Sequence, residues 1–100
     1  MTINLEKYGE LISDKALGEI ILTEIKKGLK SSGNVTLDFA EVKSMATCNA
    51  KQIFGQLYLK LGPKDFFDKI IFTNTSSSIS SIIRLGITDS ISNSAELIDS

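Results

Sequence analysis

The chain has 100 residues, enough for one domain with its own hydrophobic core. Lys and Arg total 11 against 12 Asp and Glu, and this net charge of -1 argues against broad electrostatic binding to nucleic acid or to an anionic membrane. Histidine is missing, so neither a Ser–His–Asp triad nor a Cys–His pair can form, and the lone Cys48 cannot build a zinc site of several thiolates. We therefore expect no enzymatic activity, no metal and no cofactor.

The first ten residues include charged side chains and no apolar run, so we expect no signal peptide there. No apolar stretch approaches the ~18 residues of a membrane span. A single unpaired cysteine fits a reducing compartment. These features predict a cytoplasmic single domain over residues 1–100. Its acidic tail, residues 89–100, either docks through Ile91, Leu97 and Ile98 or frays.

The chain begins with alternating apolar and polar residues over 2–8, which predicts a strand, and Gly9 then turns it toward a hairpin partner at Leu11 and Ile12. Ser13 is predicted to cap the first helix, with Asp14 near its positive end. The apolar residues of this helix fall at i, i+3, i+4 spacing, and Gly33 ends it. They are Leu17, Ile20, Ile21, Ile25 and Leu29.

A strand that we expect to be central follows over residues 34–39, and Asp38 near its end is expected to accept hydrogen bonds from loop amides. A magnesium site at Asp38 and Glu41 is the less favoured interpretation, because no glycine-rich phosphate loop accompanies the pair. In the connection over residues 40–49, Val42 and Met45 are predicted to anchor the loop to the core.

A second amphipathic helix is predicted from about Cys48 until Gly62-Pro63 stops it. Its apolar face is expected to hold Ala50, Ile53, Phe54, Leu57 and Leu61. Residues 69–73 form an apolar run typical of a buried strand, and a third helix follows, in which Gly86 is a candidate end. The apolar stripe of that helix is Ile79, Ile82, Ile83 and Ile87.

Alternating strands and helices indicate an α/β fold with a small, mostly parallel or mixed sheet of about four strands packed with three α-helices. Two arrangements are open at this point. All the helices can lie on one face of the sheet, or the first helix can cover the opposite face.

The stretch from Val35 to Met45, followed by an amphipathic helix, resembles STAS domains, the sulfate-transporter and anti-sigma-factor-antagonist modules. The resemblance is closer to the small STAS-like subgroup of bacterial domains, on Ser13-Asp-Lys-Ala16 and on Leu37-Asp38-Phe39. In the STAS pattern Thr47 takes the position of the phosphoacceptor serine, and Ala46 stands where the preceding aspartate is expected.

The resemblance implies a regulatory module that docks to a partner protein, such as an ATPase-like or kinase-like regulator. The expected contact residues lie on the loop before the second helix and on its exposed side: Thr47, Asn49, Lys51, Gln52 and Gln56. Thr47 is either a helix cap, which is the favoured interpretation, or a phosphoacceptor. Cys48 is either a partly buried inert thiol, again favoured, or a reactive one.

An immunity protein or antitoxin is the alternative function. A small, mildly acidic domain without catalytic side chains suits the covering of a basic toxin active site, because charge complementarity speeds the encounter. Asp89, Glu96 and Asp99 in the acidic tail motivate this alternative.

Overall fold

The computed structural model describes the backbone of residues 1–99 and the side chains of residues 1–92. Five short strands occur in this part of the chain: Thr2–Asn4 (β1), Leu11–Ile12 (β2), Val35–Asp38 (β3), Ser44–Met45 (β4) and Ile70–Thr73 (β5). A 3-10 helix, Leu5–Tyr8, follows β1. The longer helices are Lys15–Ser32 (α1), residues 47–61 (α2), Pro63–Lys69 (α3) and Ser77–Asp99 (α4).

The strands form two parallel sheets. The larger has the order β1-β3-β5, so β3 is central as predicted, and Ile3, Leu37 and Phe72 are neighbours across it. The smaller pairs β2 with β4, Ile12 opposite Met45. The α/β class is confirmed, with five strands in place of about four. The predicted hairpin between β1 and β2 is wrong, because β2 hydrogen-bonds to a segment more than 30 residues downstream.

The helices cover one face of the larger sheet. Val35 and Leu37 of the central strand are fully buried on that face. An added Cβ on Gly28 of α1 would lie 2.7 Å from Val35 Cγ2, so α1 packs on this same face. The opposite face carries Ile71, which is 43% exposed, so β5 is not the buried strand that its apolar run indicated. The strand order also places β5 at an edge of the sheet.

Helix α1 begins one residue later than predicted. Asp14 is the N-cap, and its Oδ1 accepts a hydrogen bond from the Ala16 N–H at 3.2 Å. Gly33 ends the helix in the left-handed region, at φ 84°, as its position predicted. The predicted stripe is rotated, because Ile20 is 54% exposed while the buried positions include two glycines. The buried residues are Gly18, Ile21, Leu22, Ile25 and Gly28.

Helix α2 is continuous but not uniform. It consists of α-helical turns at Thr47–Ala50, a π segment at Lys51–Gly55 and an α-helical end at Gln56–Leu61. Its buried face was predicted well, and Val42 and Met45 anchor the preceding loop in the core as expected. Gly62 ends α2, but Pro63 then begins α3, which was not predicted; proline is favoured in the first turn of a helix because its missing N–H has no partner there.

Helix α4 does not end at Gly86 and extends to Asp99. Gly86 instead lies against α2, where an added Cβ would be 2.7 Å from both the Ala50 carbonyl carbon and the Lys51 nitrogen. The glycine therefore permits a close helix crossing.

The predicted tail residues Glu96 and Asp99 have side chains outside the described residues. No helix of the described chain combines enough length and hydropathy to cross a membrane.

Replacing Gly86 by alanine tests this crossing. Helix propensity alone would raise the free energy of unfolding by about 1 kcal/mol, whereas overpacking typically costs about 1–3 kcal/mol. Because the added methyl meets backbone atoms that cannot rotate away, we expect a net loss of about 1 kcal/mol or more in urea unfolding followed by circular dichroism. Ser81→Ala, at an exposed position of the same helix, is the control; a stability gain in Gly86→Ala would contradict the tight crossing.

Candidate functional site

The N-terminal end of α2 presents two exposed side chains with functional groups, the hydroxyl of Thr47 and the thiol of Cys48. Ala46 is the N-cap, Thr47 is the first helical residue, and no side chain caps the first turn. The interpretation of Thr47 as the cap is therefore wrong. The expected partial burial of the Cys48 thiol is wrong as well, since Cys48 is exposed.

The β2–β4 pair lies directly before this helix end, since only Ala46 separates β4 from α2. Leu11 is the cross-strand neighbour of Ser44, and Ile12 is the neighbour of Met45. Because side chains alternate along a strand, Ile12 and Met45 enter the core while Leu11 and Ser44 face solvent. Leu11 is 57% exposed, the largest exposed fraction among the aliphatic side chains of the described residues.

We group the exposed and half-buried residues of β2, β4 and the first turns of α2 under one name, the α2-entry surface: Leu11, Ser44, Thr47, Cys48 and Lys51. Thr47 and Lys51 are four residues apart in a helix and so share a face. Sequence analysis missed Leu11 and Ser44, because a two-residue strand has no recognisable period. Two adjacent apolar residues in a short strand were the available signal, since one of them must point away from the core.

Two of the predicted contact residues, Asn49 and Gln52, join α2 to α1. Asn49 is fully buried, and its Nδ2 donates to the Asp14 carbonyl at 3.0 Å and to Gln52 Oε1 at 3.3 Å. Gln52 Nε2 donates in turn to the Lys15 carbonyl and to a Glu19 carboxylate oxygen, both at 3.1 Å. These side chains hold the helix end in place and are engaged within the chain.

Of the remaining predicted contacts, Thr47 and Gln56 are exposed, and Lys51 is half-buried. Gln56 follows the π segment, so it lies farther along α2 than the entry surface. The structure thus brings Thr47 and Lys51 together on one surface, places Asn49 beneath it and leaves Gln56 apart.

Replacing Asn49 by alanine tests its anchoring role. Loss of the buried amide removes the donor to the Asp14 carbonyl and leaves Gln52 Oε1 with one donor fewer, so we expect the free energy of unfolding to fall by about 1–3 kcal/mol. Gln56→Ala, at an exposed position of the same helix, should change it by less than about 0.5 kcal/mol. Equal and small effects in urea unfolding would show that Asn49 is not an anchor.

A second polar cluster lies where β3 and β5 end. Asp38 Oδ1 accepts hydrogen bonds from the Ala40 N–H and from Asn74 Nδ2, both at 2.9 Å, which confirms the predicted role of Asp38 at the strand end. The bond from Asn74, followed by that from Ala40, lowers the pKa of Asp38 below its ordinary value of 3.8. Asn74 reaches this position with a left-handed backbone, φ 56°. No group of three or more metal-binding side chains occurs in residues 1–92.

A carboxyl whose pKa is lowered by folding stabilises the protein above its unfolded pKa, and this contribution is lost as the pH falls through the lowered value. Glycine tolerates the positive φ at this position, so Asn74→Gly removes the hydrogen bond without straining the backbone. The substitution should raise the pKa of Asp38 toward 3.8 and make the free energy of unfolding fall less steeply as the pH is lowered. Carboxyl-carbon NMR titration measures the first effect and acid unfolding the second. Asn34→Gly, in an exposed loop away from Asp38, should leave the titration unchanged; an unmoved Asp38 in Asn74→Gly would refute the bond.

Residues 18–80, more than half of the chain, match the family described as a STAS-like domain of unknown function (DUF4325). The chain belongs to this family. The resemblance seen in the sequence is thereby confirmed at the level of the STAS-like domain. The matched segment begins inside α1, contains α2 and β3 to β5, and ends in the first turn of α4, so it includes all of the α2-entry surface except Leu11. Comparisons with curated proteins and with solved structures give no match.

Proposed function

We propose that this STAS-like domain is a non-enzymatic regulatory module that docks to a partner protein through the α2-entry surface. The observation that carries the proposal is the 57% exposure of Leu11 beside Ser44, on the strand pair that leads into α2. An apolar side chain with polar groups around it has the layout of a small protein interface, in which the centre is apolar and the rim polar.

The surface is held rigidly before any partner binds. The Lys43 N–H donates to the Glu10 carbonyl at 2.8 Å, and the Ala46 N–H donates to the Ile12 carbonyl at 2.8 Å. These bonds fix the backbone on both sides of Ser44. A preformed surface loses less conformational entropy on binding than a mobile one does, which favours affinity.

Thr47 is suited to carry a regulatory phosphate. It is exposed, and the first turn of α2 has no side-chain cap, so its amides and the positive end of the helix dipole can receive an anion. A phosphate there adds about -1.5 to -2 units of charge next to the apolar Leu11, which would oppose burial of this surface. Phosphorylation is thus proposed as a release signal, with Lys51 as the nearest cation along the helix.

The partner is proposed to be an ATPase-like or kinase-like regulator. The alternative is a cognate toxin, which the acidic residues near the C-terminus favoured. Of these residues, Asp89 is half-buried on α4, and the side chains of Glu96 and Asp99 lie outside the described part of the chain. We therefore argue the regulatory partner and leave the toxin as an outcome of the test.

The test compares stable binding partners of the wild-type domain and of two variants, Leu11→Glu and Thr47→Glu, purified from the native host. We expect both variants to lose a stoichiometric protein partner, with affinity at least about tenfold weaker, because each places a charge in an apolar contact. Thr47→Glu should fold as stably as wild type, since an acidic residue in the first turn of a helix is favourable.

Leu59→Glu is the matched control, because Leu59 is also an exposed leucine, 45% accessible, but lies at the other end of α2. It should retain the partner. Binding that survives both entry-surface variants would refute the proposed surface, and the absence of any stoichiometric partner would refute the docking function. A partner that proves to be a toxin neutralised by the domain would replace the regulatory proposal by the alternative.

A further inference from the structure

A groove with a volume of about 350 Å³ lies between α4 on one side and α2, α3 and β5 on the other. It shares no residue with the α2-entry surface. Three aromatic side chains form one wall, one from each of those elements: Tyr58, Phe67 and Phe72. Ile83 and Ile87 of α4 form the facing wall. The volume falls in the range of small-molecule sites in proteins, roughly 300–1,000 Å³.

The aromatic wall is packed from behind. Phe66, fully buried, contacts Tyr58 edge-to-face at a centroid distance of 5.4 Å and Phe67 at 5.1 Å. Tyr58 and Phe67 also meet edge-to-face, at 6.2 Å. Phe67 is nevertheless 61% exposed, more than any other large apolar side chain in the described residues. A rigidly supported ring that remains this open to water offers apolar area to a ligand at little cost in side-chain ordering.

Most polar residues of the groove belong to α4, and Thr75, after β5, also lines it. Ser80, Arg84 and Thr88 line it at intervals of four residues along α4, so they form a row beside the apolar row of Ile83 and Ile87. Among the residues with described side chains, Arg84 is the one charged residue in the lining. Over residues 1–92, no carboxylate lies within salt-bridge distance of its guanidinium.

We infer that this groove binds a monocarboxylate with an aromatic or branched hydrocarbon body, the body lying between Phe67 and Ile83 and the carboxylate pairing with Arg84. The charge selects the ligand class, because a guanidinium presents a planar pair of donors that matches a carboxylate. An acidic lining residue would cancel that preference, and residues 1–92 contribute none to the groove. Ser80 and Thr88, one turn away on either side, can donate further hydrogen bonds to the carboxylate oxygens.

Phenylbutyrate and its neutral amide, phenylbutyramide, are the probes, and amide chemical shifts in two-dimensional NMR are the measurement. We expect phenylbutyrate to shift the resonances of Phe67, Phe72 and residues 83–88 with a Kd on the order of 1 mM, as its size allows. The neutral amide should bind about tenfold more weakly, because it lacks the charge-assisted hydrogen bonds.

Arg84→Gln should weaken phenylbutyrate binding about tenfold and leave phenylbutyramide binding unchanged, so that the two probes become equivalent. Lys64→Gln removes the same charge from an exposed position of α3 outside the groove and should change neither affinity. Thr88→Trp, also at an exposed position, should block the groove to both probes. The NMR spectrum of each variant reports directly whether the fold is retained.

Equal affinity of the wild-type domain for the acid and the amide would overturn the assignment of a carboxylate. The absence of shifts at the groove residues would overturn the site itself. Groove resonances that move when the protein alone is diluted would identify a second copy of the chain as the occupant instead. None of these results depends on whether the α2-entry surface binds a partner protein.

Discussion

The crossing of α4 over α2 at Gly86 is the constraint on which the rest of the structure depends. At this point the backbone of α4 lies so close to Ala50 and Lys51 that no side chain fits between the helices. The contact coincides with the start of the π segment of α2, and Gly55, at the end of that segment, faces Ser90 in the same tight manner. Close-packed interiors transmit such constraints, so the crossing fixes the line along which α2 runs over the sheet.

Once this line is fixed, the two ends of α2 acquire different surroundings. The N-terminal end meets α1, where Gly18 lets Asn49 and Gln52 approach its backbone and bond to its first turn. The C-terminal end meets the aromatic rings of α3 through Tyr58. The middle of the helix is covered by the sheet and by α4, so solvent reaches α2 mainly at its ends. The entry surface and the groove are therefore consequences of one packing arrangement.

Local patterns predicted those parts of the fold that depend on local physics. The alternation of Val35, Leu37 and Phe39 identified the central strand, and the apolar face of α2 was assigned with no residue misplaced among Ala50, Ile53, Phe54 and Leu57. Failures occurred where a distant neighbour decides the outcome. Gly86 resembled a helix end because a contact with Ala50 is invisible in the sequence, and Asn49 resembled a surface residue because its partner lies 35 positions away.

The candidate site was likewise predictable where local sequence decides the structure, and not where a distant segment does. The position of Thr47 at a helix N-terminus followed from the sequence. The inclusion of Leu11 in the α2-entry surface required knowledge of the β2–β4 pairing. Both candidate sites also depart from what stability alone would select. Alanine at the N-cap of α2 gives up roughly 1 kcal/mol relative to serine or aspartate. Leu11 and Phe67 leave apolar area in water that burial would stabilise by about 25 cal/mol per Å². Leu11 and Phe67 have the two largest exposed fractions among the large apolar side chains of the described residues, and local choices that oppose stability tend to gather where a protein binds something.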